Sequence, residues 1–160
     1  MKIKCLLPAF LIYLATTASA DSGSLKPFNS DSYHELLKAH SKQPFMLVIW
    51  SVTCSSCLKE MELLSILHKN RPALKIVMLA TDDGSAAAEI QNILNKHQLS
   101  DTENWFFASE NAQKLRFEID PGWYGELPRT YFYDAGHRRE GISGVLSQED
   151  YASHVVKMGV

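Results

Sequence analysis

Cys54-Ser55-Ser56-Cys57 stands where two patterns meet, and no other feature constrains the fold of this chain so closely. Before it runs Phe45-Met46-Leu47-Val48-Ile49-Trp50, a near-continuous apolar stretch of the kind found in central strands buried on both faces. After it, Leu58, Met61, Leu64 and Leu67 recur at helical spacing to about Asn70, where Arg71-Pro72 stops the pattern. A strand therefore feeds a helix whose first turn carries both thiols. Thiols at i and i+3 on one turn can bond without rebuilding the backbone. The helix N-terminus favours a thiolate, which makes Cys54, at its exposed start, the candidate nucleophile. Cys57, one turn in, is the candidate resolving thiol. The competing reading is a structural or zinc-binding pair. It lacks partners, because the chain has no second Cys-x-x-Cys and no His-x3-His to complete a metal site.

The third cysteine, Cys5, falls in a segment with the layout of a secretory signal. Lys2 and Lys4 precede an apolar stretch from Cys5 to Leu14, and Ala18-Ser19-Ala20 offers a small-residue cleavage site. Cleavage after Ala20 leaves residues 21–160 as one domain, periplasmic or otherwise exported. The alternative is an uncleaved anchor, for which the apolar stretch is short beside the ~20 residues of a span. Without Lys2 and Lys4, fourteen basic residues face eighteen acidic ones. That balance provides no basic footprint for nucleic acid or anionic lipid, and the mature chain is not expected to span a membrane. Two cysteines do not make a disulfide scaffold. In an exported protein, one closely spaced pair points to use in chemistry.

Along the rest of the chain, Leu25–Phe28 reads as a short strand. Ser30 or Asp31 caps a helix ending near Lys42, before Pro44. Leu74–Ala80 is a second buried strand. Thr81–Ser85 is a turn in which Asp82 and Asp83 read as turn and cap residues rather than a metal loop, and a helix follows from about Ala86 to His97. Trp105–Phe107 is a strand, Glu110 to about Phe117 a short helix, and Arg129–Tyr133 a strand. The turn Asp134–His137 leads into a partner strand, Arg138–Ile142. Ser147 then caps a last helix to about Lys157. The order β-α-β-α-β-α-β-α-β-β-α predicts an α/β fold with a mixed central sheet flanked by helices.

This pattern resembles the thioredoxin fold and, within it, the exported thiol-disulfide oxidoreductases of the TlpA/ResA type. Three stretches carry the resemblance: Ile49–Met61 around the cysteines, Gly125-Glu126-Leu127-Pro128-Arg129-Thr130-Tyr131-Phe132-Tyr133-Asp134, and Trp105–Ile119. The last matches the strand and helix that this group inserts before its cis-proline strand. The likeness runs from about Phe28 to the C-terminus. Thr53 stands where the family often has tryptophan, Ser55-Ser56 lacks its common proline, and Val48 occupies the place of thioredoxin's buried acid. A helix takes the place of the group's N-terminal hairpin.

The resemblance implies a cis Leu127-Pro128 bond beside the cysteines, leaving a peptide edge for an extended substrate, strand on strand. Without it, a trans proline opening a strand would be the default. Glu60 lies three residues after Cys57, and an acid there serves the family as proton acceptor for the resolving thiol. The plainer reading is a solvated glutamate beside Lys59 and Glu62. Trp123-Tyr124 reads as a substrate-facing rim or as packing, and Trp50 as core beneath the helix. The six histidines read as surface or satisfied residues. The implied activity is that of a protein-disulfide reductase with no cofactor beyond the Cys54–Cys57 disulfide. It would be fed by a membrane electron donor and serve cytochrome c maturation or metal-site assembly. The alternative from another class is a copper-delivery protein on the same fold. Such proteins use a wider cysteine spacing with a histidine or methionine ligand.

Overall fold

The structure, a computed structural model, describes residues 23–108 and 111–160. The expected export segment, its cleavage site after Ala20 and the expected helix start at Glu110 lie outside the described residues. The elements are β1 (Lys26–Phe28), α1 (Ser32–Ala39), β2 (Phe45–Trp50), α2 (Ser55–Asn70), β3 (Lys75–Ala80), α3 (Ala87–Lys96), β4 (Glu103–Phe107), α4 (Ala112–Ile119), β5 (Arg129–Tyr133), β6 (Arg139–Ser143) and α5 (Gln148–Lys157). Among the described residues no helix is long and apolar enough to cross a membrane.

The sheet runs β1-β4-β3-β2-β5-β6. Its first four strands are parallel, β5 is antiparallel to β2, and β6 is antiparallel to β5. Every residue of β2 is buried, because alternate side chains enter two separate cores. Met46, Val48 and Trp50 pack on one face with Cys57, Met61 and Leu64 of α2, Ile90 and Leu94 of α3, and Tyr151 and Val155 of α5. Phe45, Leu47 and Ile49 pack on the other with Leu36 of α1 and Leu115 and Ile119 of α4. A strand with no solvent face has no place for a polar alternation, which is why its sequence reads as an unbroken apolar run.

Differences from the sequence reading cluster at helix starts and ends. Asp31 occupies the N-cap position of α1 at φ 79° and makes no capping bond. Ser32 does the bracing instead: its hydroxyl accepts the Asn29 N–H and donates to Asn29 Oδ1. That helix stops at Ala39, and Lys42 turns the chain at φ 62°. A short 3-10 turn, Gly84–Ala86, precedes α3, with Asp83 capping Ser85 N. At α4 the cap is Asn111, whose side chain accepts from Gln113 N and Lys114 N. Ser147 caps α5 as expected, within a capping box completed by Asp150.

Candidate active site

The site forms where β2 ends and α2 begins. Trp50 closes β2, and its carbonyl accepts the Thr81 N–H at 2.8 Å from the end of β3. Ser51–Thr53 bridge to Cys54, which sits at the N-cap of α2 with φ −86° and ψ 98°. Its sulfur takes the place of a capping oxygen and accepts the Cys57 N–H at 3.1 Å. A helix N-terminus leaves unpaired N–H groups and a partial positive charge, and the first turn of α2 carries no acidic residue to offset it. Both effects favour a thiolate at Cys54. Cys57 is buried, one turn deeper in the core, and the two cysteines are joined in a disulfide with Cα atoms 5.2 Å apart. Ser55 and Ser56, between them, are exposed.

Glu60 lies on the same helix one turn beyond Cys57, only 2% exposed. The solvated reading of this residue is therefore replaced by a buried carboxyl. Its Oε1 accepts the Leu146 N–H at 2.9 Å and the Tyr151 hydroxyl at 3.0 Å, while Oε2 has no partner among the described residues. Burial raises its pKa, and the two hydrogen bonds only partly oppose that. Tyr151 is pushed well above its usual range, first by burial and then by the charge of Glu60.

The Leu127-Pro128 peptide is cis. Because Ile49 pairs with Arg129, Pro128 stands alongside the end of β2, where the cysteine loop begins. Its carbonyl accepts the Gly144 N–H at 2.8 Å, tying it to the loop that also donates Leu146 N–H to Glu60. Leu127 is partly exposed, and its own backbone N–H and C=O make no hydrogen bond among the described residues. An unpaired peptide edge alongside the end of β2 is what an added strand would pair with.

Trp123 is a correction. The structure buries it to 4% exposure in the core on the α1/α4 face, where its Nε1–H donates to the Glu126 carbonyl at 3.0 Å. A large apolar ring with its one polar atom satisfied inside the fold anchors the loop and is not offered to a substrate. Its neighbour Tyr124 is the exposed one, at 87%. Trp50 is core beneath α2, as expected. Several histidines are held by acids: His40 by Glu103, His68 by Asp101 and His154 by Glu140. A cleft of about 400 Å³ lined by Lys26, His40, His68, Asp101 and Glu103 opens at the opposite end of the sheet from the cysteines.

One residue at the site escaped the sequence reading. Asp82 Oδ1 accepts the Ser51 hydroxyl and its Oδ2 accepts the Val52 N–H, each at 2.9 Å. Nothing local in the sequence signals this, since the partners lie about thirty residues apart. The parallel register of Trp50 with Ala80 is what brings them together.

No protein-family model matches the sequence, and no curated protein matches it either. Solved structures do. A secreted disulfide oxidoreductase of Mycobacterium tuberculosis, homologous to E. coli DsbE, superposes with a TM-score of 0.60 at 21% identity, covering 75% of this chain and 85% of that one. A thiol:disulfide interchange protein of the thioredoxin family from Chlorobium tepidum gives 0.61 at 16%, over 76% and 83%. A secreted thiol-disulfide isomerase of Corynebacterium glutamicum gives 0.61 at 17%, over 76% and 74%. What is shared at these identities is the fold, and it is the thioredoxin fold expected from the resemblance.

Proposed function

We propose that this protein is an exported thiol-disulfide oxidoreductase that reduces disulfides in other proteins through Cys54 and Cys57. The observation that carries the reading is the sulfur of Cys54 serving as the N-cap of α2, beside a cis-proline peptide edge. In the reduced protein, Cys54 thiolate attacks one sulfur of a substrate disulfide. A mixed disulfide forms and the other substrate sulfur leaves as thiolate. Cys57 then gives up its proton and attacks the Cys54 sulfur, and the second substrate sulfur departs. Two electrons pass to the substrate, and the Cys54–Cys57 disulfide is left behind.

Glu60 is the proton acceptor for Cys57 in this scheme. It is one turn away, its second oxygen has no partner among the described residues, and burial raises its pKa above the ordinary carboxylate value, which favours its taking up a proton. The exposed edge at Leu127 takes the substrate backbone as an added strand. Export is supported by the layout of the first twenty residues and by a compared disulfide oxidoreductase and a compared thiol-disulfide isomerase, both described as secreted. A reductase in an oxidising compartment needs a source of electrons, which we assign to a membrane donor. Clients are proteins whose paired thiols must be kept reduced there.

Insulin-disulfide reduction driven by dithiothreitol tests the reading. The protein should accelerate precipitation of the insulin B chain, and Cys54→Ala should abolish the acceleration. Retained activity in that variant would defeat the assignment.

A further inference from the structure

We infer that Asp82 is a positioning residue for the nucleophile, holding Cys54 through a tether across the ends of β2 and β3; the inference rests on the functional reading above. The tether can be followed bond by bond. Asp82 accepts the Ser51 hydroxyl on one oxygen and the Val52 N–H on the other. The Ser51 oxygen in turn accepts the Thr53 N–H at 3.2 Å and lies 3.0 Å from the Thr53 hydroxyl. The carbonyl of Ser51 accepts the Cys54 N–H at 3.1 Å. Ser51 is therefore held at both ends, by Asp82 through its side chain and by Cys54 through its backbone.

Ser51 is 6% exposed, so its hydroxyl depends on protein partners rather than water. Three residues separate the last pairing residue of β2 from the first residue of α2 other than Cys54 itself, and none of them belongs to the sheet. Without Asp82 that link keeps the Cys54–Ser51 turn but loses its attachment to β3. Cys54 keeps its bonds within α2, to Leu58 N–H and Cys57 N–H, but the link that enters it from β2 is free to shift, so the approach of its sulfur to the Cys57 N–H is less tightly set. A thiolate is favoured only while that donor and the helix terminus point at it, so loosening the link lowers the thiolate fraction.

The geometry separates the tether from the charge. In Asp82→Asn, the amide oxygen can accept from Val52 N while the amide nitrogen donates to the Ser51 oxygen. Ser51 then donates to the Thr53 hydroxyl, and both attachments survive without the negative charge. Asp82→Ala removes both. Ser51→Ala cuts one attachment and leaves Val52 held.

The test is the iodoacetamide alkylation rate of Cys54 in the reduced protein across pH, with a thermal melt of each variant. Asp82→Ala should slow alkylation at pH 7 by about fivefold and move the midpoint of its pH profile upward, toward an ordinary thiol near about 8.5. Asp82→Asn should stay within about twofold of the parent, because its tether is intact. Ser51→Ala should fall between them, and it carries the test if Asp82→Ala does not fold. A midpoint unmoved in Asp82→Ala and in Ser51→Ala would overturn the inference, even with a lower melting temperature. So would acceleration in both Asp82 variants, which would mark Asp82 as a repelling charge. A parent protein whose Cys54 alkylates quickly but which reduces no protein disulfide would sink the functional reading and leave the tether standing.

Discussion

Glu60 and Asp120 are carboxyl groups on opposite faces of one sheet, and the protein treats them in opposite ways. Asp120 follows α4 and gathers donors: Gly122 N–H at 3.0 Å, the Tyr131 hydroxyl at 2.9 Å, and the guanidinium groups of Arg129 and Arg139 at 3.3 Å each. Burial pushes its pKa up, but these partners together outweigh it and hold the carboxyl below its ordinary value. Glu60 is more deeply buried, has two neutral donors and, among the described residues, no cation, and its pKa goes up. A carboxyl in a core with no counter-charge costs stability whenever it ionises. Surrounding Asp120 with arginines makes it a permanent charge that ties α4 to the β5–β6 hairpin. Glu60, one turn from Cys57, has no such counter-charge among the described residues, and its carboxyl is held above its ordinary pKa, as the proposed proton transfer needs.

The comparison breaks most visibly at Asp120. Asp120→Ala strands two arginines and the Tyr131 hydroxyl, and should cost about 3 kcal/mol in urea unfolding, discounted for partial exposure, with insulin reduction unchanged below the melt. Its pH dependence follows from the sign of the shift. A depressed carboxyl contributes stability that is fully present above its unfolded pKa, about 3.9, and is lost as pH falls through the lower folded value. The acid unfolding of the parent in that window should therefore be blunted in Asp120→Asn. Loss of reductase activity in the folded Asp120→Ala protein would erase the division between the faces.

Gly141 on β6 sharpens the same side. A Cβ there would meet the Tyr131 ring at 2.5 Å and the Arg129 guanidinium at 2.6 Å, groups that themselves hold Asp120. Gly141→Ala should cost about 2 kcal/mol by displacing them, measured by the same melts, again without effect on alkylation of Cys54.

On the other face the expected effects are smaller in stability and larger in chemistry. Glu60→Gln keeps an oxygen to accept from Leu146 and Tyr151 but cannot exchange a proton. It should slow resolution of a mixed disulfide about tenfold at pH 7, read by stopped-flow after loading Cys54. The same change should raise stability above the folded pKa of Glu60. A carboxyl with a raised folded pKa loses stability as pH rises from its unfolded value through its folded one. Identical pH–stability curves for parent and Glu60→Gln would contradict the buried, titrating carboxyl. Tyr151→Phe is the finest adjustment. It removes one of the two bonds that hold the pKa of Glu60 down, so the pH profile of resolution should move upward, at a cost of about 1 kcal/mol in stability.

The contrast also marks what a reader of the sequence could see. The strand before the cysteines, the helix after them and the Ser147 cap were legible because each is a local pattern of apolar spacing or capping chemistry. The cis Leu127-Pro128 bond was legible only through the family motif around it. Trp123 was misplaced because an aromatic beside Pro121-Gly122 looks the same in a loop rim as in a loop anchor; only the core beneath decides. Asp82 read as a turn residue, and Asp120 carried no local signal at all. Their partners arrive from other strands through the sheet register, which no neighbouring residue announces.

The most direct test is the reduction potential of the Cys54–Cys57 couple, equilibrated against dithiothreitol and glutathione buffers. A reductase requires a potential in the range of thioredoxin, about −270 mV, or lower. A value near about −120 mV, that of a strong oxidant, would contradict the account and make the protein a donor of disulfides.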